Sequence, residues 1–528
     1  MASSGMRTAA AVAAALAVTA FAGPAGASAP RSPVDGIWRS DGYGTVISIG
    51  GGHGTAYQTT AISCLPGGQL DQLGPPGQNG VVPFGVGGVT TTTVQPDGHD
   101  RAWLHPLGSA GNIGLRRIRA LPHLCTRPAP RDPVTSFNVF WATFAENYPF
   151  FAAQKIDWRA VGDRYRPQVN AHTTDQELYK ILADMIRPLG NAHTDVVSAD
   201  GRQGFEGLRP GTRPWSEAFC ARAEKAVDTH LGVPLRTWGN GNIAYASLPG
   251  HLGYLRITAF EDYAGPNSHF EADSAALNRV LNAVFTPSRT RTLHGLIIDV
   301  RCNPGGDDAL GLQLASRLTR QPYLAYAKRA RNDPDNPARF TQPQPITVLP
   351  ARATIYGGPI AILTSDLTNS AGETFTEAMM GRTPRPTRIG LSTQGVFSDV
   401  LNRALPDGIR FELPNEEFLT RDGQTFDNRG IPPDIQTPVF TSYQLNHDRD
   451  SALNAARALL TAPPSPRSSR PVTEGRAVAV SPVPSMGWGR ANASTSPAPH
   501  RPTAPPSNCG PATVKATSNG PSDSPGNA

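Results

Sequence analysis

The chain has 528 residues, 48 basic against 42 acidic for a formal charge of +6, with 53 glycines and 51 prolines. That length allows about three domains and a large core. Gly plus Pro at about a fifth of the chain excludes a helix-only or coiled-coil architecture yet stays below the ~25–30% of a wholly low-complexity protein, and the scattered arginines form no basic stripe, which argues against nucleic acid as a partner.

Arg7 precedes an uncharged Ala/Val/Leu run, Thr8 to Phe21, and the small residues Ala25-Gly26-Ala27 and Ala27-Ser28-Ala29 follow. Charge, a short apolar stretch and an A-x-A site form the secretory pattern. Residues 1–29 are therefore expected to be a signal peptide, cleaved near Ala27 or Ala29, leaving a soluble, exported protein. The run is shorter than the ~20 residues that span a bilayer, so no stable membrane insertion is expected. The cysteines, Cys64, Cys125, Cys220, Cys302 and Cys509, are an odd set. Cys64 and Cys125 bracket one N-terminal segment and are the best disulfide pair. Spacing offers Cys302 no evident partner, and no metal-ligand spacing is present, so neither a metal nor a cofactor is expected.

Residues 32–128 read as a small all-β module, a barrel or sandwich, with Gly-rich turns at Gly50-Gly51-Gly52 and Gly85-Val86-Gly87-Gly88 beside β-branched runs. From 132 to 200 the period becomes helical. Phe137, Phe140, Trp141, Phe144 and Tyr148 share one face, read as core. Asp157 caps a second helix, and Thr174 with Glu177 makes a capping-box start for a third, stopped by Pro188 and Gly190.

Residues 201–445 are expected to form the α/β core, within which residues 250 to 440 alternate strand and helix. Apolar strands are expected at Leu252 to Ile257, Gly295 to Val300 and Pro359 to Thr364, and helices near 215–230, 271–286, 308–319 and 370–380. Such alternation predicts an α/β core with buried, largely parallel strands. A last helix falls at 449–460, within a segment bounded at 446–462. The Pro/Ser/Ala-rich remainder, 463–528, reads as a disordered tail.

Three turns carry chemistry. Asp299-Val-Arg-Cys-Asn303-Pro-Gly305-Gly306 follows a buried strand. Its glycines can aim backbone N–H groups into the crevice at the end of an open sheet, where they suit a phosphate or an oxyanion. The lysine of a phosphate-binding loop is absent. Thr368-Asn369-Ser370-Ala371-Gly372-Glu373 opens a helix. A serine there lies at the positive end of the helix dipole, although alone it would read as an N-cap. The third turn is Leu189-Gly-Asn-Ala-His193-Thr-Asp195.

Together these segments resemble the tail-specific and tricorn-type serine peptidases, a group that also includes interphotoreceptor retinoid-binding protein. Gly253-Tyr254-Leu255-Arg256-Ile257 with Phe260 is similar to the family's "GYL-I--F". The Asp299 turn resembles "D-R-N-GG", and Thr368 to Glu373 resembles "T-SAGE". Gly390 to Gly395 is similar to "G--T-G". Leu405-Pro-Asp-Gly408 and Asn428-Arg-Gly430-Ile-Pro-Pro433-Asp434-Ile435 resemble "LP-G" and "N-GI-PDI". The motifs run in order over residues 132 to 460. They imply a crotonase-like α/β core preceded by a helical subdomain and the small β module.

One branch of the family uses a Ser–Lys dyad, but the lysine position is Val396 here, and no lysine lies between Lys328 and Lys515. The resemblance is thus to the tricorn-like branch. It implies Ser370 as nucleophile, His193 as base and Asp427, in place of the family's Glu, as the carboxylate. Ala192 stands where the tricorn type has a serine. Gly305, Gly306 and Ala371 would line an oxyanion hole, and Glu373 reads as a helix N-terminal carboxylate of structural role. Only about 55 residues separate Asp195 from His251, too few for a PDZ module of ~90 residues. The expected function is a secreted serine peptidase acting on peptides or proteins through an acyl-enzyme. The alternative is an inactive ligand- or peptide-binding homologue of the same fold.

Overall fold

A computed structural model describes residues 32–462 apart from Pro334 and Asp335. The expected signal peptide, the tail and Cys509 lie outside the described residues. Residues 36–118 form a closed eight-stranded barrel of successive antiparallel pairs. Gly36–Ser40 closes it against Ile113–Ile118, with Ile37 opposite Ile118. Alternate strand residues point inward: Trp38, Ile49, Val82, Phe84, Val94 and Leu115 fill it. Cys64 and Cys125 are disulfide-bonded, tying the barrel to the segment that follows it.

Pro133–Asn147 is the helix the aromatic stripe predicts, capped by Asp132. Phe140, Phe144, Tyr148, Trp158, Leu182 and Ile186 build its core with Val196 and Phe411. Asp157 caps Trp158–Tyr165. The Thr174–Glu177 capping box opens Asp175–Ile186.

The core sheet has seven strands in the order 236–238, 243–248, 252–257, 295–299, 360–364, 387–390 and 435–436. The pairings from Leu252–Ile257 through Ile435–Gln436 are parallel. Leu296 and Ile298 face one layer, with the helices Phe270–Val284, Asp308–Ser316 and Ala371–Met380. Ile297 faces the other, with Glu217–Leu231 and Ser451–Thr461. Burial on both faces explains why these strands are continuously apolar.

Asp299 ends its strand in a buried ion-pair network. Arg301, 1% exposed, bonds Asp299 at 2.6 Å and Asp450 at 2.8 Å, and Tyr254 donates to Asp299 at 2.8 Å. Asp450 also caps the last helix, which locks that helix under the strand ends. Cys302 is bonded to Cys220, a pairing that spacing did not reveal.

Two small antiparallel sheets complete the core. One runs 204–206, 195–197, 410–414, 400–404; the other joins Tyr323–Asp333 to 336–340, 344–348 and 416–419. Among the described residues no helix is long and apolar enough to cross a membrane.

Candidate active site

The strand Ile360–Thr364 delivers the turn that holds Ser370. Thr368 Oγ1 donates to the Val300 carbonyl at 2.8 Å, and the Asn369 amide to the Asn303 carbonyl at 2.9 Å. These bonds weld the Ser370 turn to the Asp299–Gly306 turn. Ser370 has φ 48° and ψ −121°, and its hydroxyl makes no capping bond. The N-cap role that an isolated serine would suggest is therefore not filled. Backbone strain at a partly exposed hydroxyl is of the kind that marks functional positions.

Gly305 lies directly against that serine. A Cβ built on it would fall 2.6 Å from Ser370 Cβ, 3.1 Å from its Oγ and 3.2 Å from the Ala371 nitrogen, and its φ is +121°. Its own amide donates to Asn303 Oδ1 at 2.9 Å. The neighbouring Gly306 is exposed. Among the described residues no hydrogen-bond acceptor takes the amides of Gly306 or Ala371. Two open donors beside a hydroxyl at a helix N-terminus can hold a developing oxyanion.

His193 sits just before the strand Asp195–Val197. Asn191 Oδ1 accepts the His193 amide at 2.8 Å, and Asn191 Nδ2 donates to Asn428 Oδ1 at 3.1 Å. Gln154 donates to the same oxygen at 2.9 Å. The Asn428 amide in turn reaches the Gly395 carbonyl at 2.7 Å, and Val396 accepts from the Ser370 amide at 3.0 Å. The three distant stretches thus meet around residues 395–398. Among the described residues no hydrogen bond joins Ser370 to His193 or His193 to Asp427. His193 Nδ1 is buried without a partner. Burial pushes this imidazole down to about 4, partly opposed by the Ser398 carbonyl and Asp399.

Asp427 accepts from Thr425 Oγ1 at 2.6 Å with Oδ2, while its Oδ1 is buried and unpartnered. Burial holds it well above the usual carboxylate range. Glu373 accepts the amides of Gly395 and Val396 at 2.6 and 2.8 Å. It therefore holds the 395–396 turn in place, and burial raises it to about 7. Arg209 fastens the same turn through the carbonyls of Thr393 and Gln394, both at 2.6 Å.

Lys328 is far from being a dyad lysine. It is buried and paired with Glu416 at 2.9 Å and Asp399 at 3.4 Å. Burial works against its charge, but these carboxylates hold it well above the usual lysine range. Sequence reasoning missed Asn191, Asn428, Gln154 and Arg209 because their work is to join loops far apart in the chain. No group of three or more His, Cys, Asp or Glu side chains among the described residues could hold a metal ion.

Comparison with known proteins finds relatives of this core. Residues 251–437 match peptidase family S41, and residues 131–187 match the tricorn protease C1 domain. A "putative peptidase" from Parabacteroides merdae is similar over 63% of this chain and 98% of its own, at 26% identity and TM-score 0.52. Mature CPAF complexed with lactacystin is similar over 62% and 98%, at 14% identity and TM-score 0.45. The photosystem II D1 C-terminal processing protease is similar over 64% and 100%, at 14% identity and TM-score 0.39. No curated protein matches the chain. Residues 251–437 therefore carry the serine-type peptidase core of family S41, and residues 131–187 a tricorn-type segment ahead of it.

Proposed function

We propose that the protein is an exported peptidase that cleaves peptides or proteins through an acyl-enzyme on Ser370. The observation that carries the reading is the strained, uncapped Ser370 hydroxyl packed against Gly305, beside the open amides of Gly306 and Ala371. A neutral alcohol is a weak nucleophile at pH 7 and needs a base for its proton. His193, held neutral by burial, fills that role once substrate draws the two side chains together. Catalytic hydrogen bonds are often loose before substrate binds.

Attack on the scissile carbonyl moves the Ser370 proton to the imidazole, and the amides of Gly306 and Ala371 stabilise the oxyanion. Gly305 contributes by close packing, since its amide is engaged by Asn303. The imidazolium returns the proton to the leaving amine. Water then attacks the acyl-enzyme by the reverse sequence. Asp427 orients the imidazole through its unpartnered Oδ1. Burial favours its neutral form.

Two disulfides, Cys64–Cys125 and Cys220–Cys302, fit an oxidising compartment and support export. N-terminal sequencing of the exported protein should find a start at Ser28 or Pro30; an intact Met1 would contradict it. Activity is tested by hydrolysis of a fluorogenic peptide library with the purified mature chain. Ser370→Ala should abolish cleavage. Cleavage unchanged in that variant would overturn the assignment, and saturable ligand binding without any cleavage would favour the inactive homologue.

A further inference from the structure

One residue bonds both the loop of the nucleophile and the loop of the base. Asn428 Oδ1 accepts from Gln154 Nε2 at 2.9 Å and from Asn191 Nδ2 at 3.1 Å. Gln154 lies in the turn after Pro133–Asn147. Its Nε2 also donates to the Leu189 carbonyl at 2.5 Å, and Tyr148 Oη donates to its Oε1 at 3.0 Å. Asn191 Oδ1 accepts the His193 amide at 2.8 Å. On the other side, the Asn428 amide donates to the Gly395 carbonyl at 2.7 Å. The next carbonyl, that of Val396, accepts the Ser370 amide at 3.0 Å. Asn428 is also the chain neighbour of Asp427.

The direction of each side-chain bond in this chain is forced. A peptide carbonyl only accepts, so Gln154 must turn its NH2 towards Leu189, and the same NH2 faces Asn428. A peptide N–H only donates, so Asn191 must turn its oxygen to His193 and its NH2 to Asn428. Both ends therefore require Asn428 to present its oxygen. Asn428 does so at two local costs. Its own Nδ2 is buried with no partner among the described residues. Its backbone is left-handed, with φ +61°, a region that Asn enters more readily than most residues. Costs of this kind persist where the surroundings over-determine the conformation, and they mark functional positions.

We propose that Asn428 and Gln154 are positioning residues for the hydrolysis: through Asn191 they set the His193 loop against the Ser370 turn. The inference rests on the peptidase reading above. It gives a catalytic role to the turn that carries Gln154, although that turn bears no reacting group.

The test measures kcat and KM for a fluorogenic peptide, and the rate at which a fluorophosphonate labels Ser370, in the full mature chain below the unfolding midpoint of each variant. Asn428→Gly suits a left-handed backbone and removes only the side-chain amide. It should lower kcat and the labelling rate roughly 10- to 100-fold, the order expected for a displacement approaching 1 Å, with KM within about threefold. Asn428→Asp keeps an oxygen for both donors and should recover much of the loss. Gln154→Glu has the same shape but turns an acceptor towards two acceptors, so kcat should fall there too, as it should in Gln154→Ala. The two residues act in one chain, so Asn428→Gly combined with Gln154→Ala should be no slower than the slower single variant.

A merely structural role would lower the unfolding midpoint and leave kcat of the folded protein unchanged. Should Asn428→Gly fail to fold, Gln154→Ala, at a half-buried turn position, decides alone. Wild-type kcat in the folded variants, or additive losses that Asn428→Asp does not rescue, would overturn this inference while Ser370-dependent cleavage by wild type keeps the peptidase reading. If wild type shows no Ser370-dependent cleavage, the peptidase reading fails and this inference falls with it.

Discussion

Replacing Gly305 by alanine tests the packing of the site where a single methyl group decides. The new Cβ would sit 2.6 Å from Ser370 Cβ and 3.2 Å from the Ala371 nitrogen, against ordinary contacts of about 3.5–4 Å. Something must therefore move by close to 1 Å, and the neighbours are the reacting hydroxyl and one oxyanion donor. The backbone adds its own term, because φ +121° is a region that side chains avoid at a cost of about 1–3 kcal/mol. Overpacking adds about 1–3 kcal/mol more. Misplacing a reacting group by ~1 Å costs on the order of 100-fold in rate. Peptide hydrolysis and thermal unfolding, measured side by side, should show a rate fall of about that size in a protein that still folds. Gly423→Ala is the control, for its φ is +71° and nothing lies within 4 Å; it should keep full activity. A Gly305→Ala protein within threefold of wild type would refute the account of how the two turns pack.

Other expectations follow from the same geometry. Arg301→Ala leaves Asp299 and Asp450 as unpaired buried carboxylates and should cost about 3–5 kcal/mol in denaturant unfolding; a loss below 1 kcal/mol would contradict the burial of that network. Opening Cys220–Cys302 by paired serine substitutions frees a loop with 82 residues of separation and should cost roughly 4–5 kcal/mol on the chain-entropy estimate, read as a lower unfolding midpoint. His193, depressed to about 4 from ~6.5 when unfolded, binds fewer protons in the native state between those values. Stability should therefore fall as pH drops from about 6.5 to 4, and His193→Gln should flatten that part of the pH–stability curve. The acid limb of kcat/KM should likewise lie well below pH 6; a limb near 6.5 would show that the ring is solvated in the free enzyme.

The legible parts of this molecule are those in which one local pattern has one physical meaning. The aromatic stripe from Phe137 to Tyr148, the Thr174–Glu177 box and the buried strands ending in Gly305-Gly306 and Ser370 depend on neighbours within a turn or two, so spacing reveals them. The N-terminal module was legible as a barrel or a sandwich, and the choice between them depends on Ile37 meeting Ile118. The Cys220–Cys302 bond escaped for the same reason: it exists only because a helix on one sheet face covers the turn after Val300. The site divides along this line too. Ser370 and His193 carry motifs, whereas Gln154 and Arg209 are ordinary polar residues in sequence and acquire meaning only where distant loops meet. Gly305 was legible as a needed glycine, but its amide could be assigned to Asn303 only from the folded turn.

Mass spectrometry of the intact mature protein after exposure to a fluorophosphonate probe tests the central claim most directly. One adduct on Ser370, formed in wild type and strongly slowed in His193→Gln, is the predicted result. An unmodified Ser370 in a folded protein, or an adduct rate indifferent to His193, would contradict the account.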